Sequence, residues 1–378
     1  MEKGRVILKV IISVAVLGIM AVVFFAGQRP TAYYPVPLLK GSCPPGFKLN
    51  ENNECIAKNL YSQYATTNKA GVGGLKSALP EIRDGFTPQE IDLGRYLFFD
   101  PALSADQTVS CATCHDPDKG LGDGLATSQG KDRHKLKRAA PSLYNVGYLK
   151  KLFWDGRATS LEEQMLEPLF SKDEMGNTPE NLLKTINEIE NYRKLFAEAY
   201  PKRDGDQPIA LNEITKAIAA FQSSLVSLNS KYDQYAHGYD EALNKNEIEG
   251  LNIFRSFVAR CAECHTPPLF TNQQFAVIND KSLRGAFKVP SLRNIAQTAP
   301  YMHSGRFKTL RETVQFYTDG RGHAVPEGEN LLIHWHIWEP NLTDYELDRL
   351  VDFLKTLTDE SFKPKTPEVL PSGLKIST

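Results

Sequence analysis

The sequence has no excess of charge. Its 44 lysines and arginines balance 45 aspartates and glutamates almost evenly, for a net charge of -1. That removes the electrostatic basis for a nucleic-acid partner or for binding an anionic membrane surface. Cysteine is scarce, at six in 378 residues, so a dense disulfide scaffold is excluded. No long alternation of apolar and polar residues occurs, which excludes an extended β architecture. Long apolar runs are also missing, with one exception from Val10 to Ala26.

That exception follows Lys3, Arg5 and Lys9, the basic flank expected on the cytoplasmic side. It is slightly long for a signal-peptide core and slightly short for a comfortable membrane span. No small-x-small cleavage site follows, because the bulky Phe24 stands two positions before Ala26. Residues 1–28 are therefore expected to be an uncleaved anchor in the inner membrane, with a removed signal peptide as the alternative. Either way the body is exported to the periplasm. Cys43 and Cys55 can close a small disulfide loop there, the alternative being two free thiols. Residues 29–85, rich in proline and small residues, read as a linker around that pair.

The other four cysteines form a repeated pattern. Cys111-Ala112-Thr113-Cys114-His115 returns as Cys261-Ala262-Glu263-Cys264-His265. A Cys-x-x-Cys-His run attaches c-type haem: the thiols add to the vinyl groups and the histidine binds the iron. A lone copy could be a redox dithiol or half a zinc site, but neither requires the trailing histidine twice. Two covalently attached haem c groups are expected, with His115 and His265 as axial ligands.

More than the haem run repeats. Ala140-Pro141-Ser142-Leu143 matches Val289-Pro290-Ser291-Leu292, and Gly156-Arg157 matches Gly305-Arg306. Pro141 lies 26 residues after His115 and Pro290 lies 25 after His265. The fold class is therefore mainly α, with two cytochrome c-like haem domains related by internal duplication and preceded by the anchor. Helices are expected from Thr87-Pro88 to near Asp100, and from Ser160, Thr178-Pro179, Asn212, Thr309 and Thr343, most of these marked by capping residues. The duplication also exposes a difference. The helix capped by Thr309 carries Tyr317 eight residues on, where the helix capped by Ser160 carries Pro168. A phenolate can ligate ferric iron, and proline cannot. If these helices face the haems, the second iron is closed by Tyr317 and the first is open.

The residues from about Phe86 to Leu357 resemble the bacterial di-haem cytochrome c peroxidase family, which includes the maturation enzyme MauG. The resemblance rests on Leu93-Gly94-Arg95-Tyr96-Leu97-Phe98-Phe99-Asp100-Pro101, both haem runs, Phe153-Trp154-Asp155-Gly156-Arg157, and Ala299-Pro300-Tyr301-Met302-His303-Ser304-Gly305. It implies peroxide reduction at the first haem, an N-terminal peroxidatic domain (86–235), a C-terminal electron-transfer domain (236–362) and a tail (363–378). It places Gln164 and Glu174 on the family's distal-pocket pair and Trp154 between the haems. A carboxylate such as Glu174 can shuttle a proton between peroxide oxygens.

Three positions depart from the family. Lys131 stands where reductively activated members carry a distal histidine, with His134 nearby as a substitute. Tyr317 stands where those members use methionine, and both departures lean toward MauG. Ala139 stands where the family places an asparagine on calcium, which leaves the carbonyls of Thr298 and Pro300 as the calcium donors. The leading expectation is a periplasmic peroxidase that reduces hydrogen peroxide with electrons from a small cytochrome c or cupredoxin. The alternatives are a MauG-like oxidase of a protein side chain, against which Ala259 replaces a surface tryptophan, and a non-enzymatic electron carrier. Trp335 and Trp338 are expected to pack over the second domain.

Overall fold

Two pairs of helices, each crossing at a glycine, carry the architecture. The structure is a computed structural model that describes residues 37–58, 79–204, 207–276, 287–319 and 340–377. The α-helices among them run in the order α1 (Pro88–Phe99), α2 (Cys111–Cys114), α3 (Leu161–Phe170), α4 (Pro179–Glu188), α5 (Glu190–Ala199), α6 (Leu211–Ser223), α7 (Lys231–Ala236), α8 (Lys245–Phe254), α9 (Cys261–Cys264), α10 (Leu310–Asp319) and α11 (Asp344–Lys355). The described strands are two or three residues long: β1 (Phe47–Leu49) pairs antiparallel with β2 (Cys55–Ala57), and β3 (Phe275–Ala276) with β4 (Phe287–Lys288). The expected anchor at 1–28, Trp335 and Trp338 lie outside the described residues. Among the described residues no helix is long and apolar enough to cross a membrane.

The helix starts follow from capping chemistry. Thr87 Oγ1 accepts from Glu90 N at 3.1 Å, and the Glu90 carboxylate accepts from Thr87 N at 2.9 Å. Thr343 and Glu346 repeat this box at 3.3 and 2.8 Å. These reciprocal bonds satisfy amides that a helix end leaves unpaired. Helices α5, α7 and α8 were not expected. The start of α8 uses the same box with asparagine: Asn244 Oδ1 accepts from Glu247 N at 3.0 Å, and Glu247 accepts from Asn244 N at 2.8 Å.

Helix α1 crosses α6, and α8 crosses α11. At each crossing a glycine admits the partner backbone. A Cβ on Gly94 would lie 1.8 Å from Ala217 O, and one on Gly250 would lie 1.9 Å from Arg349 O. Each half therefore opens with one helix, closes with another, and holds its haem run and loops between them.

The loops repeat as closely as the helices. Asn145 and Asn294 both take left-handed φ values, 62° and 57°. Asn145 N–H donates to Leu225 O at 2.8 Å and Asn294 N–H to Leu357 O at 3.0 Å, so each asparagine grips the chain just past its half's closing helix. Ser142 Oγ donates to Gly120 O at 2.7 Å, and Ser291 Oγ to Leu269 O at 2.6 Å. Isolated bridges Leu152–Ala158 and Tyr301–Phe307 match as well. A bidentate ion pair of Arg293 with Asp233, at 2.6 and 2.7 Å, braces the second half and is fully buried.

Two segments are more structured than the sequence suggested. Part of the expected linker is the β1–β2 hairpin, closed by the Cys43–Cys55 disulfide. It docks on the second half's apolar core through Phe47 and Cys55, and Cys55 N–H donates to Phe86 O at 2.7 Å. The expected tail packs instead on the first half's core, where Leu370 is buried beside Leu374 and Ile376. Ser372 Oγ donates to the buried Asp100 at 2.7 Å. Ser377 O accepts from Ser110 Oγ at 3.2 Å and from Thr113 Oγ1 at 3.1 Å, within the first haem run.

The glycine crossings make a direct prediction. Gly94→Ala is expected to destabilise the protein by about 1–3 kcal/mol, the usual cost of overpacking. Denaturant unfolding followed by far-UV dichroism checks this; an unchanged midpoint would show that α1 and α6 do not meet so closely.

Candidate functional site

Each haem run folds as a single helical turn, α2 or α9, which sets its two sulfurs on one face. His115 N–H donates to Cys111 O at 3.0 Å and His265 N–H to Cys261 O at 2.9 Å, ending the turn with the imidazole next in line. The histidines are held alike. His115 Nδ1 donates to Leu121 O at 2.9 Å, and His265 Nδ1 faces Phe270 O and Pro290 O, each at 3.1 Å. A carbonyl only accepts, so Nδ1 carries the proton and Nε2 keeps its lone pair. Burial lowers the pKa of both imidazoles, which keeps them neutral. A neutral imidazole with Nδ1 fixed and Nε2 free is the donor a haem iron takes.

The sulfurs agree. Burial pushes the Cys111, Cys114 and Cys261 thiols up to about 12, yet each of these residues is only half-covered. A side chain deep in the protein with open surface faces inward. Such thiols are poor thiolate ligands and poor redox nucleophiles. Among the described residues no three His, Cys, Asp or Glu side chains gather to hold a metal ion. The donor sets fit haem bound at Cys111, Cys114 and His115 and at Cys261, Cys264 and His265.

Carboxylates lie within electrostatic reach of the first run. Glu174 follows α3 and is half-buried. Burial raises its carboxyl pKa, Glu167 raises it further, and Arg157 opposes them. Its charge also raises Cys114, so the carboxyl lies within electrostatic reach of the first run. Gln164 is half-buried on α3, and its side chain has no hydrogen-bond partner among the described residues. The sequence reading missed Arg157 and Glu167. Arg157 grips Glu167 at 2.9 and 2.8 Å and Asp155 at 2.7 Å; the repeated Gly-Arg pair was the available signal. Lys131 forms an ion pair with Asp106 at 4.0 Å. His134, 58% exposed, lies 3.9 Å from Asp173. Both side chains are engaged by nearby carboxylates.

Around the second run stands Tyr317. Helices α3 and α10 are each ten residues long, and Tyr317 takes the place in α10 that Pro168 takes in α3. Tyr317 leaves 41% of its surface uncovered. Even so, burial pushes its phenol up to about 12, with Cys261 and Cys264 adding to the rise. The phenol thus lies within electrostatic reach of the second run.

The two halves exchange backbone hydrogen bonds at one junction. Ala139 N–H donates to His303 O at 2.8 Å, and Lys288 N–H donates to Trp154 O at 2.7 Å. By the internal repeat Ala139 is equivalent to Lys288, and Trp154 to His303. The two bonds are therefore one interaction used twice across an approximate two-fold axis. The Trp154 and His303 rings meet edge-on at 6.3 Å. Trp154 Nε1 donates to Ala139 O at 2.9 Å, and Phe287 stacks on His303 at 4.0 Å. His303 went unremarked in the sequence because its match to Trp154 shows only when the repeat is carried to those positions. Ala139 offers no side-chain oxygen where the family resemblance places an asparagine.

Two c-type haem sites on a duplicated, mainly helical chain define a di-haem cytochrome. Known proteins narrow that class. The di-haem cytochrome c peroxidase family model matches residues 88–241, and the cytochrome c model matches 252–358. The chain is 33% identical over 299 residues to the methylamine utilization protein MauG of Methylorubrum extorquens, covering 75% of this chain and 82% of that one. It is 32% identical over 326 residues to the cytochrome c551 peroxidase of Nitrosomonas europaea, covering 80% and 91%. Among solved structures it is similar to a MauG-like protein associated with microbial copper homeostasis, with a TM-score of 0.67 and 33% identity over 73% of this chain and 91% of that one. The chain belongs to the di-haem cytochrome c peroxidase and MauG family. It is a peroxidase-type oxidoreductase with two covalently bound haem c groups, which sets aside the non-enzymatic carrier.

Replacing Cys261 and Cys264 together with alanine is expected to leave one covalent haem of two. Intact mass and the pyridine haemochrome assay read this directly; two retained haems would place the second attachment elsewhere.

Proposed function

We propose that the protein reduces hydrogen peroxide to water at the His115 haem, using electrons that a small cytochrome c or cupredoxin delivers through the His265 haem. The observation that carries this reading is the difference at one position of two matched helices, Pro168 in α3 against Tyr317 in α10. Proline leaves the first iron open to substrate, while the Tyr317 phenolate closes the second. A hard anionic ligand favours the oxidised state, so the second haem sits at low potential. The body works on the periplasmic side, and residues 1–28 hold it at the inner membrane.

Bound haem supplies an iron that takes up peroxide and exchanges electrons. The chain's own residues do the rest. The Glu174 carboxylate accepts the proton of the inner peroxide oxygen and returns it to the outer one, so the O–O bond breaks with water leaving. Positioned proton transfer of this kind contributes about 10²–10⁴-fold. The Gln164 amide, with no competing partner, orients the peroxide. Trp154, fixed by Ala139 O and backed by His303, relays oxidising equivalents across the junction. Two electrons and two protons then complete the conversion of one peroxide to two waters.

A second reading, oxidation of a protein side chain in the manner of MauG, is favoured by Tyr317 and by Lys131, which Asp106 engages. Against it, Ala259 puts no oxidisable ring before the second run. Phe257, 90% exposed four residues before Cys261, gives that face an apolar contact surface for a partner under either reading.

Glu174→Gln is expected to slow the stopped-flow reaction of the ferric protein with peroxide by about 10²–10⁴-fold; an unchanged rate removes Glu174 from the mechanism. A base must be ionised, so the rate falls as pH drops through the raised Glu174 pKa. Arg157 lowers that pKa, so Arg157→Leu should move the acid limb of the pH profile upward; a limb that stays put would assign it to another group. Tyr317→Phe should convert the second haem from low-spin to high-spin in the resting electron paramagnetic resonance spectrum, and an unaltered spectrum would mean that Tyr317 is not a ligand. Steady-state turnover with reduced cytochrome c separates the two readings.

A further inference from the structure

Lys288 ends β4 and is only 7% exposed. Its N–H bond to Trp154 O, at 2.7 Å, fixes it at the junction of the halves. Yet no hydrogen bond or ion pair engages its ammonium among the described residues. Burial pushes its pKa down to about 8, with no acidic neighbour opposing the fall. Arg293 shows the contrast. It is equally buried, but Asp233 meets its guanidinium at 2.6 and 2.7 Å and Pro268 O accepts from it at 2.7 Å. A buried cation without an anion is strongly disfavoured. The fold supplies the counter-ion at Arg293, and among the described residues none meets Lys288. The duplication isolates the omission further, since the matching position in the first half is the apolar Ala139.

We infer that Lys288 binds an anionic carboxylate at the junction, and that the carboxylate is a propionate of one of the two haems. Each haem brings two propionates, and the described residues bring no carboxylate to this ammonium. Lys288 stands two residues before Pro290, whose carbonyl lies 3.1 Å from His265 Nδ1, so it belongs to the wall of the second haem site. A propionate in ion-pair range reverses the burial penalty and keeps the lysine charged. A small anion from solution offers the same chemistry and is the competing source. The inference rests on the two attached haems and is independent of the peroxide reading.

Spectroelectrochemical titration of the holoprotein tests it, alongside resonance Raman spectra of the propionate bending bands. Lys288→Met should lower the midpoint potential of one haem, because losing a cation favours ferric iron, and should shift that haem's propionate band. Lys288→Gln, which loses the charge but keeps a polar side chain, should do the same. Lys288→Arg should restore both readouts. Haem content by pyridine haemochrome confirms that all variants are loaded. Added acetate should leave the wild-type potentials unchanged. A wild-type potential that follows acetate concentration, with a Lys288→Met potential that does not, would assign the site to a free anion and overturn the propionate. Unchanged potentials and bands in both neutral variants would overturn the inference altogether.

Discussion

Backbone carbonyls decide what this chain can hold. Leu121 O accepts from His115 Nδ1, while Phe270 O and Pro290 O face His265 Nδ1. Each fixes a tautomer, and the tautomer leaves Nε2 as an iron donor. The carbonyls sit where they do because the loop after each haem run folds back on itself. Ser142 and Ser291 tie those loops to the segments beginning Pro141 and Pro290. The closing helices then secure the next turns through Asn145 and Asn294. The helix crossings at Gly94 and Gly250 thus set the positions of two imidazoles, one step removed.

Because the halves share this scaffold, their differences carry the chemistry. Identical frames would give two equivalent irons and no direction to electron flow. Three departures bear on it. Tyr317 replaces Pro168, Lys288 replaces Ala139, and His303 replaces Trp154. One stands at a matched position of two helices, and two lie at the junction of the halves. The backbone bonds at the axis are conserved between the halves while the side chains on them are not. Geometry is held constant there, and charge and redox character vary.

What was legible in the sequence was local. Haem attachment needs five contiguous residues, and a capping box needs four, so Cys111–His115 and the start of α1 could be read directly. The disulfide partners lie close in sequence and were also readable. What was missed depends on contacts between distant residues. Periodicity around Cys43 does not encode the docking of Cys55 on Phe86, and residues 47–57 of the expected linker form a hairpin. The Asp155–Arg157–Glu167 network spans two elements. His303 gains meaning only beside Trp154, from the other half. Glu174 is half-buried because Gly130 lets the neighbouring loop close on it: a Cβ there would lie 1.9 Å from Asp173 O.

The segment from Phe362 to Ser377 has a consequence for biogenesis. It returns to the first half, and Ser377 O takes hydrogen bonds from Ser110 and Thr113 inside the first haem run. A ribosome makes residue 377 after both haem runs have emerged. The first attachment turn therefore takes part of its support from residues that follow the second run and its closing helix in the chain. The half written first is braced by residues written after the second half.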